Sequence, residues 1–208
     1  MTKIKIKVEN VVASTALGQK FDLAVITGGM DKVEYEPEQF PGLVYHLDEP
    51  KAAALIFGSG KIVCTGAKSI PDAKLAIERI VEKIAEAGIT INKIPEVVVQ
   101  NVVATANLNA ELNLDAIAIS LDNTEYEPEQ FPGLVYRMHD PKVVLLLFGS
   151  GKIVCTGAKS IPDAERAAEN IHKKLKELNL LEGRTGSSAK GPRASPMPRG
   201  RGEHTQKA

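Results

Sequence analysis

The chain has 208 residues, of which 43% are hydrophobic and 25% are charged, and its 26 basic residues balance its 26 acidic ones. These values are ordinary for a globular protein with one or two compact domains. No apolar run approaches the roughly 20 residues of a membrane-spanning helix, and the N-terminal residues lack the apolar stretch of a signal peptide. We therefore expect a cytoplasmic protein that binds no membrane.

The chain opens with a strand pattern and then becomes ambiguous. Ile4, Ile6 and Val8 alternate with lysines, which is the period-two pattern of a β-strand. Segment 17–29, like segment 108–121 further on, suits either a helix or a strand by propensity. We predict a short helix there.

Turn signals of proline and glycine then divide the chain into four short strands and a long helix. The predicted strands are 32–35, 43–48, 52–57 and 61–66. Strands this close in sequence should pair antiparallel. Ser69 supplies an N-cap, Pro71 lies in the first turn and Asp72 follows three residues after the cap, so an amphipathic helix begins here, and Gly88 ends it.

The same pattern recurs 91 residues later. Segments 34–45 and 125–136 both read EYEPEQFPGLVY, and segments 57–73 and 148–164 both read FGSGKIVCTGAKSIPDA. We divide the chain into a first repeat at 1–92, a second repeat at 93–182 and a tail at 183–208. Two repeats give about ten strands and four helices, which can cover only one face of such a sheet.

The uncovered face should be apolar. If Ile62 and Cys64 face the helices, then Val63 and Thr65 face outwards, together with residues of the preceding strand. An exposed apolar sheet face is typical of a binding surface. The cysteines, Cys64 and its equivalent Cys155, are predicted to be buried and unpaired, and no histidine has metal-ligand spacing to them.

The tail differs from the rest of the chain in charge. Residues 183–208 hold six of the 26 basic residues and one of the 26 acidic ones, which leaves 20 basic and 25 acidic residues in 1–182. Its Gly, Pro, Ser and Arg composition favours disorder. Two interpretations stay open, nonspecific contact with nucleic acid and a role in solubility.

No catalytic residue or cofactor is expected. Two fragments look like phosphate-binding loops, Gly58-Ser59-Gly60-Lys61 and Thr65-Gly66-Ala67-Lys68-Ser69, but each lacks a required glycine. No set of nucleophile, base and orienting residue is apparent. We therefore expect a protein that is not an enzyme.

Three duplicated motifs resemble the TATA-binding protein family. They are the QNVVAT type near the start of a repeat, YEPEQFPGLVYR, and LLLFGSGKIVCTGAKS, in that order in both repeats, from residue 4 to about 181. Because the first strand lies so close to Met1, the resemblance is to the archaeal branch. It implies an α+β saddle, a curved ten-stranded antiparallel sheet with four helices on its convex face and a concave underside that binds the DNA minor groove.

The resemblance also implies site residues. The aromatic residues that insert between base steps would be Phe40, Phe57, Phe131 and Phe148. The residues that contact bases would be Asn10, Val12, Leu55, Val63, Thr65, Asn101, Val103, Leu146, Val154 and Thr156. The residues that contact phosphates would be Ser59, Lys61, Lys68, Arg137, Ser150, Lys152 and Lys159. The contact with transcription factor B would use Glu127, Glu129 and Gln130.

The function that the resemblance implies is that of a general transcription initiation factor. Such a protein binds double-stranded TATA-box DNA, kinks it with paired phenylalanines and recruits transcription factor B and the RNA polymerase machinery at the nucleoid. A weak homodimer through the apolar face is a further expectation for the free protein. His46 stands where the second repeat has Arg137, so one symmetric phosphate contact is in question. A different class stays open, a protein that binds a small apolar ligand in a cavity behind a curved sheet.

Overall fold

The fold is built on a sheet of ten antiparallel strands. A computed structural model describes residues 4–92 and 96–183. The strands of the first repeat form one half of the sheet and those of the second repeat form the other. The sheet is open and curved, with the helices on one face. The fold predicted from the family resemblance is confirmed.

Both repeats contain the same elements in the same order. In the first repeat the elements are β1 Ile6–Ala16, α1 Leu23–Gly29, β2 Val33–Glu34, β3 Gly42–Leu47, β4 Ala52–Phe57, β5 Lys61–Ala67 and α2 Ile70–Glu86. In the second they are β6 Val98–Asn107, β7 Ala110–Glu111, α3 Leu114–Ser120, β8 Thr124–Glu125, β9 Leu134–Met138, β10 Val143–Leu147, β11 Lys152–Ala158 and α4 Ile161–Glu177. A last short strand is β12 Glu182–Gly183. Across the ten-stranded sheet the strands lie in the order β2-β3-β4-β5-β1-β6-β11-β10-β9-β8.

The two halves join through β1 and β6, and the pairing there is symmetric. Val11 pairs with Val102, its own equivalent in the other repeat, so the approximate twofold axis passes between these two residues. Asn10 pairs with Val103, and Asn101 pairs with Val12. The duplication seen in the sequence is therefore a twofold relation in space, centred on the middle of the sheet.

The covered face holds two similar cores, one for each repeat. Alternate residues of each strand are buried, for example Ile62 and Cys64 in β5, and they pack with Ile77 and Ile80 of α2. The second repeat does the same with α4. Helix α2 begins where predicted, because the Ser69 hydroxyl accepts a hydrogen bond from the Asp72 amide at 3.1 Å.

The structure differs from the prediction in two respects. The helix predicted at 17–29 covers only Leu23–Gly29, and its counterpart only Leu114–Ser120. Backbone hydrogen bonds from Leu17 to Gly60 and from Phe21 to Gly58 hold the preceding residues extended along the β4–β5 turn. In addition, β7 and β12 form a separate two-stranded sheet that the sequence did not reveal. Disorder is predicted for residues 183–208, and all of these except Gly183 lie outside the described part of the chain.

Candidate nucleic-acid interface

The helix-free face of the sheet, which we call the open face, is mostly apolar and half-exposed. Every predicted base-contacting residue lies on it and is partly buried by its neighbours: Asn10, Val12, Leu55, Val63, Thr65, Asn101, Val103, Leu146, Val154 and Thr156. Cross-strand pairs place them side by side, with Leu55 opposite Val63 in one repeat and Leu146 opposite Val154 in the other. The structure brings the predicted set together on one continuous surface.

Some open-face residues were missed. Val44 pairs with Leu55, and Val135 pairs with Leu146, so both valines extend the apolar rows outwards. Ala53 and Val144 lie opposite the two threonines, Thr65 and Thr156. The period-two pattern of β3 and β4 contained this signal, because a residue directly opposite an open-face residue shares its face.

The two central asparagines are held by the neighbouring strand. The Asn10 Oδ1 accepts a hydrogen bond from the Gly66 amide at 2.7 Å, and its Nδ2 donates to the Thr65 hydroxyl at 3.1 Å. Because a backbone amide can only donate, the atom that faces it must be the oxygen. The side-chain amide is thereby oriented, and its remaining Nδ2 hydrogen is available to a ligand on the open face.

The second repeat reproduces this arrangement. Asn101 Oδ1 accepts from the Gly157 amide at 2.7 Å, and its Nδ2 donates to the Thr156 hydroxyl at 3.3 Å. Gly66 and Gly157 have positive φ angles of 97° and 90°, which L side chains rarely adopt. Glycine is therefore required where the strand must turn its amide towards the asparagine.

A bulge lies beside each asparagine. In the pairing of β1 with β6, neither Glu9 nor its equivalent Gln100 has a partner residue opposite it. The Lys68 Nζ donates to the Glu9 carbonyl at 2.6 Å, and the Lys159 Nζ donates to the Gln100 carbonyl at 2.6 Å. These lysines, predicted to contact phosphates, thus hold the bulges in the free protein.

The two bulge residues differ in charge. The carboxylate of Glu9 receives hydrogen bonds from Lys7 and from Thr105, and these bonds lower the pKa of Glu9. In the other repeat Gln100 donates to the Ser14 hydroxyl at 2.9 Å. The centre of the open face is therefore symmetric in shape but not in charge.

The four phenylalanines predicted to insert between base steps, which we call the wedges, form two ring pairs, one in each repeat. The Phe40 and Phe57 ring centroids are 5.8 Å apart with the rings edge to face, and those of Phe131 and Phe148 are 5.9 Å apart. The geometry is that of favourable aromatic pairs. Phe131 is 39% exposed.

Each ring pair depends on a glycine. A Cβ added at Gly42 would lie 2.8 Å from Phe40 and 3.1 Å from Phe57, and one added at Gly133 would lie 2.7 Å from Phe131. The distances to Phe40 and Phe131 are shorter than real Cβ atoms show, so these rings occupy the space that a side chain would fill. These glycines were not among the predicted site residues.

The remaining phosphate candidates are exposed at the ends of strands. They are Ser59, Lys61, Arg137, Ser150 and Lys152. Arg137 forms an ion pair with Glu125, with its Nη2 3.1 Å from Oε1, whereas His46 Nε2 lies 3.9 Å from Glu34. The two repeats thus differ both in the residue at this position and in its distance from the facing glutamate.

The loop predicted to meet transcription factor B is exposed and acidic. Within it the Phe131 amide donates to the Glu127 carbonyl at 2.9 Å, and the Gln130 side chain donates to the Glu127 carboxylate. Glu129 is also exposed. The first repeat makes the same bonds with Gln39 and Glu36, so the loop geometry does not distinguish the two ends.

In the described part of the chain, side chains fill the interior where a ligand cavity of the alternative kind would lie. The space between sheet and helices is filled by large, fully buried side chains, among them Ile56, Ile62, Ile77, Ile80 and Ile84.

Within residues 4–92 and 96–183, no group of three His, Cys, Asp or Glu residues could hold a metal ion. No helix in the same ranges is long and apolar enough to cross a membrane.

Both repeats match one family model, described as transcription factor TFIID or TATA-binding protein, at residues 5–87 and 96–178. The chain belongs to the TATA-binding protein family. It is 58% identical over 181 residues to the TATA-box-binding protein of Methanothermobacter thermautotrophicus, with 87% of this chain and 100% of that protein covered. The corresponding protein of Archaeoglobus fulgidus is 56% identical over 183 residues, again with 87% and 100% covered.

A solved structure of a family member supports the fold. The Methanococcus jannaschii TBP superposes with a TM-score of 0.78 at 55% identity, covering 83% of this chain and 99% of that one. These relatives are archaeal, as the resemblance implied. The second match to the family model ends at residue 178.

Proposed function

We propose that the open face binds the minor groove of TATA-box DNA and that the protein acts as a general transcription initiation factor, not as an enzyme. The observation that carries the proposal is the twofold pair of oriented asparagines at the centre of an apolar face, with a phenylalanine pair in each half. A nearly twofold protein surface matches a duplex, whose two strands are related by a twofold axis. The names of the relatives point the same way.

The polar atoms of the face favour A·T base pairs. In the minor groove an A·T pair presents only acceptors, adenine N3 and thymine O2, whereas G·C adds the guanine amino donor. Asn10 and Asn101 each have an Nδ2 hydrogen directed to such acceptors, since their oxygens are engaged by glycine amides. A guanine amino group set against Val63 or Val154 would lose its hydrogen bond, which is costly when water is excluded.

The phenylalanine pairs supply the wedges. A rigid aromatic ring inserted between two base steps replaces part of the lost stacking and bends the duplex, so that a wide surface can meet the groove. Phe131 is already exposed, and its partner Phe148 supports it from the end of β10. The insertion would need little rearrangement of the protein backbone.

Phosphate contacts would come from the strand ends. Lys61 and Lys152 begin the equivalent strands β5 and β11 and are exposed there, next to Ser59 and Ser150. Arg137 would exchange its exposed ion pair with Glu125 for a phosphate, at a small cost because such surface pairs contribute little. Lys68 and Lys159 would have to share their Nζ between a bulge carbonyl and a phosphate.

Recruitment of transcription factor B and of RNA polymerase is part of this proposal. The acidic loop of the second repeat, with Glu127, Glu129 and Gln130, is exposed beside the wedge residue Phe131 and would remain accessible beside bound DNA. When DNA is absent, the same apolar open face would pair weakly with that of a second copy. Sedimentation of the free protein over a range of concentrations would detect such a dimer.

The test of this function is binding to matched duplexes. The labelled duplexes should be identical except that one contains a TATA box and the other has G·C pairs at the box positions. We expect clear preference for the TATA duplex by fluorescence anisotropy and a further stable complex when transcription factor B is added. Equal binding to both duplexes, or no binding, would refute the DNA-binding proposal, and failure of factor B alone would refute only the recruitment step.

A further inference from the structure

The beginning of β1 lies on the second-repeat half of the sheet. Ile6 lies opposite Ala106 and Lys7 lies opposite Thr105, so this part of β1 runs beside the end of β6. Ile4 and Ile6 pack in the core of the second repeat. The side chains that alternate with these isoleucines therefore point to the second-repeat half of the open face.

Two exposed lysines, Lys5 and Lys7, occupy these positions. Thr105 lies opposite both Lys7 and Val154, and Val154 is on the open face, so Lys7 shares that face. The Lys7 side chain is 78% exposed. Neither lysine was among the residues predicted to contact phosphates.

Lys5 reaches the edge of the sheet at the level of Lys152. The register of β1 against β6 brings Lys5 to Asn107, and Asn107 lies opposite Lys152. Two strand spacings separate Lys5 from Lys152, which is about 10 Å. Lys5 thus stands on the same edge as a lysine that we propose as a phosphate contact.

The first-repeat half of the open face has different residues at the equivalent positions, Glu96 and Val98. Val98 lies opposite Ser14, which lies opposite Val63 of the open face. The residues on either side of Val98 pack in the core of the first repeat. Glu96 and Val98 are both exposed, and neither can attract a phosphate.

The bulge residues reduce this difference in charge but do not remove it. Glu9 lies on the same half as the two lysines, because its carboxylate accepts from the Thr105 hydroxyl at 3.1 Å. The three residues on the second-repeat half carry a formal charge of +1, and the three on the first-repeat half carry −1: Lys5, Lys7 and Glu9 against Glu96, Val98 and Gln100. The fold is symmetric here, and the charge is not.

Lys7 can release its partner for a phosphate. Its Nζ lies 3.0 Å from the Glu9 Oε1, and the pair is exposed on the Lys7 side. Ion pairs of this kind contribute little to stability. Glu9 would keep its hydrogen bond from Thr105, so its carboxylate would not be left without a partner.

We propose that Lys5 and Lys7 bind phosphates of the DNA backbone on the second-repeat half of the box. The inference rests on the proposed function, since the open face must first bind a duplex. Phosphate contacts carry no sequence information, but they fix the orientation of a protein on the duplex. The two lysines therefore make backbone binding stronger on one half and bias the direction in which the protein lies on the box.

Two other charge differences between the repeats lie further from the centre. Arg137 in place of His46 adds positive charge to the second repeat, whereas Glu111 in place of Lys20 adds negative charge. Glu111 belongs to β7, outside the ten-stranded sheet. These two differences have opposite signs, and a comparison of variants that leaves all four residues unchanged removes them from the result.

The competing interpretation is that Lys7 serves only to hold Glu9. The pKa of the Glu9 carboxyl is lowered first by its hydrogen bond from Lys7 and then by that from Thr105. Loss of Lys7 would then act through the bulge and not through a phosphate. Lys5 separates the two cases, because its replacement leaves the bond from Lys7 to Glu9 in place.

The experiment compares full-length proteins that differ in the same number of charges. The neutralised variant carries Lys5→Gln and Lys7→Gln. The matched control carries Lys74→Gln and Lys176→Gln, which replace exposed lysines of α2 and α4 on the helix-covered face. Thermal unfolding verifies the fold of each protein, and each is then titrated with a TATA duplex at several salt concentrations.

The salt dependence counts the phosphate contacts. The slope of log K against log salt should fall in magnitude by about 1.8 in the neutralised variant, because each lost phosphate contact removes about 0.9. Lys5→Gln alone should remove about 0.9. The matched control should keep the slope of the unmodified protein.

Orientation supplies a second readout, on a self-complementary TATATATA box whose phosphates are replaced by neutral methylphosphonates in one half. A dye on a cysteine introduced by Val25→Cys marks the first repeat, since both native cysteines are buried. Energy transfer to a second dye at the neutral end of the DNA should place the first repeat of the unmodified protein there.

The neutralised variant should lie in the two directions more equally. A transferred variant adds Glu96→Lys and Val98→Lys to the neutralised one, which moves the lysine pair to the first-repeat half. This variant should regain the salt slope and reverse the energy-transfer result, with its first repeat on the charged half of the box.

The outcomes separate this inference from the proposed function. Equal slopes for the neutralised variant and the matched control, with TATA preference intact, would overturn the role of the lysines and leave the proposed function standing. An effect of Lys7→Gln without any effect of Lys5→Gln would also overturn it and would favour the role in holding Glu9. Loss of TATA preference in the unmodified protein would refute the proposed function and this inference with it.

Discussion

The Asn10 side chain accepts a hydrogen bond from the Gly66 amide at 2.7 Å, across 56 positions of sequence. This bond fixes which end of the side-chain amide faces the open face, because a backbone N–H accepts nothing. Its twofold equivalent joins Asn101 to Gly157 at the same distance. The centre of the sheet thus presents two hydrogen-bond donors set in an apolar surface, a pattern that suits the acceptors of A·T pairs.

The first prediction removes the donor and keeps the acceptor. Asn10→Asp preserves an oxygen for the Gly66 amide but replaces the donating Nδ2 with a second acceptor and adds a negative charge beside the DNA. We expect the affinity for a TATA duplex to fall at least about tenfold, in line with about 1–3 kcal/mol for a lost base contact. Asn101→Asp should have a similar effect, and fluorescence anisotropy would measure both.

The control for this pair adds the same charge elsewhere. Asn113 caps α3 by accepting from the Ala116 amide at 3.0 Å, and aspartate caps a helix equally well. Asn113→Asp should therefore leave both stability and DNA affinity nearly unchanged. If Asn10→Asp bound the TATA duplex as tightly as Asn113→Asp, the asparagine readout would be wrong.

A second prediction concerns the glycine behind the rings. In Gly133→Ala the new Cβ would lie 2.7 Å from the Phe131 Cε1 and 3.0 Å from the Phe148 Cε1, so the rings must move. The Phe131 ring is partly exposed, so it can move away from the new methyl group. The free energy of unfolding should therefore change by no more than about 1 kcal/mol. The affinity for the TATA duplex should fall several-fold, because the displaced pair no longer fits a base step.

Gly149→Ala is the matched control for Gly133→Ala. The nearest atom to its added Cβ is the Leu112 carbonyl oxygen at 3.6 Å, an ordinary contact. Chemical denaturation and a DNA titration on both variants would separate folding from binding. Equal DNA affinity for the two alanine variants would show that the ring geometry does not matter.

A third prediction follows from the buried cysteines. Burial raises the pKa of the Cys64 thiol to about 11, and burial together with Asp163 raises that of Cys155 to about 11. The fold therefore favours the neutral thiol, whereas the unfolded chain ionises near pH 8.5. The resulting stabilisation is fully present below about pH 8.5 and is lost as the pH rises towards about 11.

The measurement is urea denaturation at about pH 8 and about pH 10, where linkage gives a loss of about 1–2 kcal/mol for each cysteine. Other groups titrate in this range, so the comparison needs the double variant Cys64→Ala and Cys155→Ala. Its loss of stability between the two pH values should be smaller than that of the unmodified protein. An identical loss in both proteins would mean that the thiols are not desolvated.

Much of the fold could be predicted from the sequence because its signals are local. The four short strands of each repeat follow from alternation and turn residues, and α2 follows from its Ser69 cap. Because the pattern recurs 91 residues later, each of these predictions applies to both repeats. The apolar open face follows from the small number of helices, as the partial exposure of Val63 and Thr65 confirms.

The sequence did not reveal contacts that join distant segments. The bonds from Gly66 to Asn10 and from Lys68 to the Glu9 carbonyl depend on the register of β1 against β5 and on a bulge. A period-two pattern shows which face of the sheet each side chain takes, but it does not show which residue of a distant strand lies opposite. The pairing of β12 with β7 joins residues some 70 apart, and the segment before α1 is held extended by a turn 40 residues away.

The two ring pairs give the last prediction. If each pair opens one base step, then the two repeats bend the duplex independently, since Phe57 and Phe148 lie in opposite halves of the sheet. Phe57→Ala or Phe148→Ala should each remove about half of the bend, and the double variant should remove nearly all of it. Both side chains are partly exposed, so the folding cost should stay below the roughly 3–5 kcal/mol of a core phenylalanine.

Energy transfer between dyes at the two ends of a TATA duplex would measure the bend at saturating protein. Val25→Ala, which truncates an exposed side chain of α1, is a control that should bend the DNA fully. Retained bending in the double phenylalanine variant would exclude the wedge role. Complete loss in either single variant would instead mean that the two kinks form together, because the curved sheet transmits the fit of one half to the other.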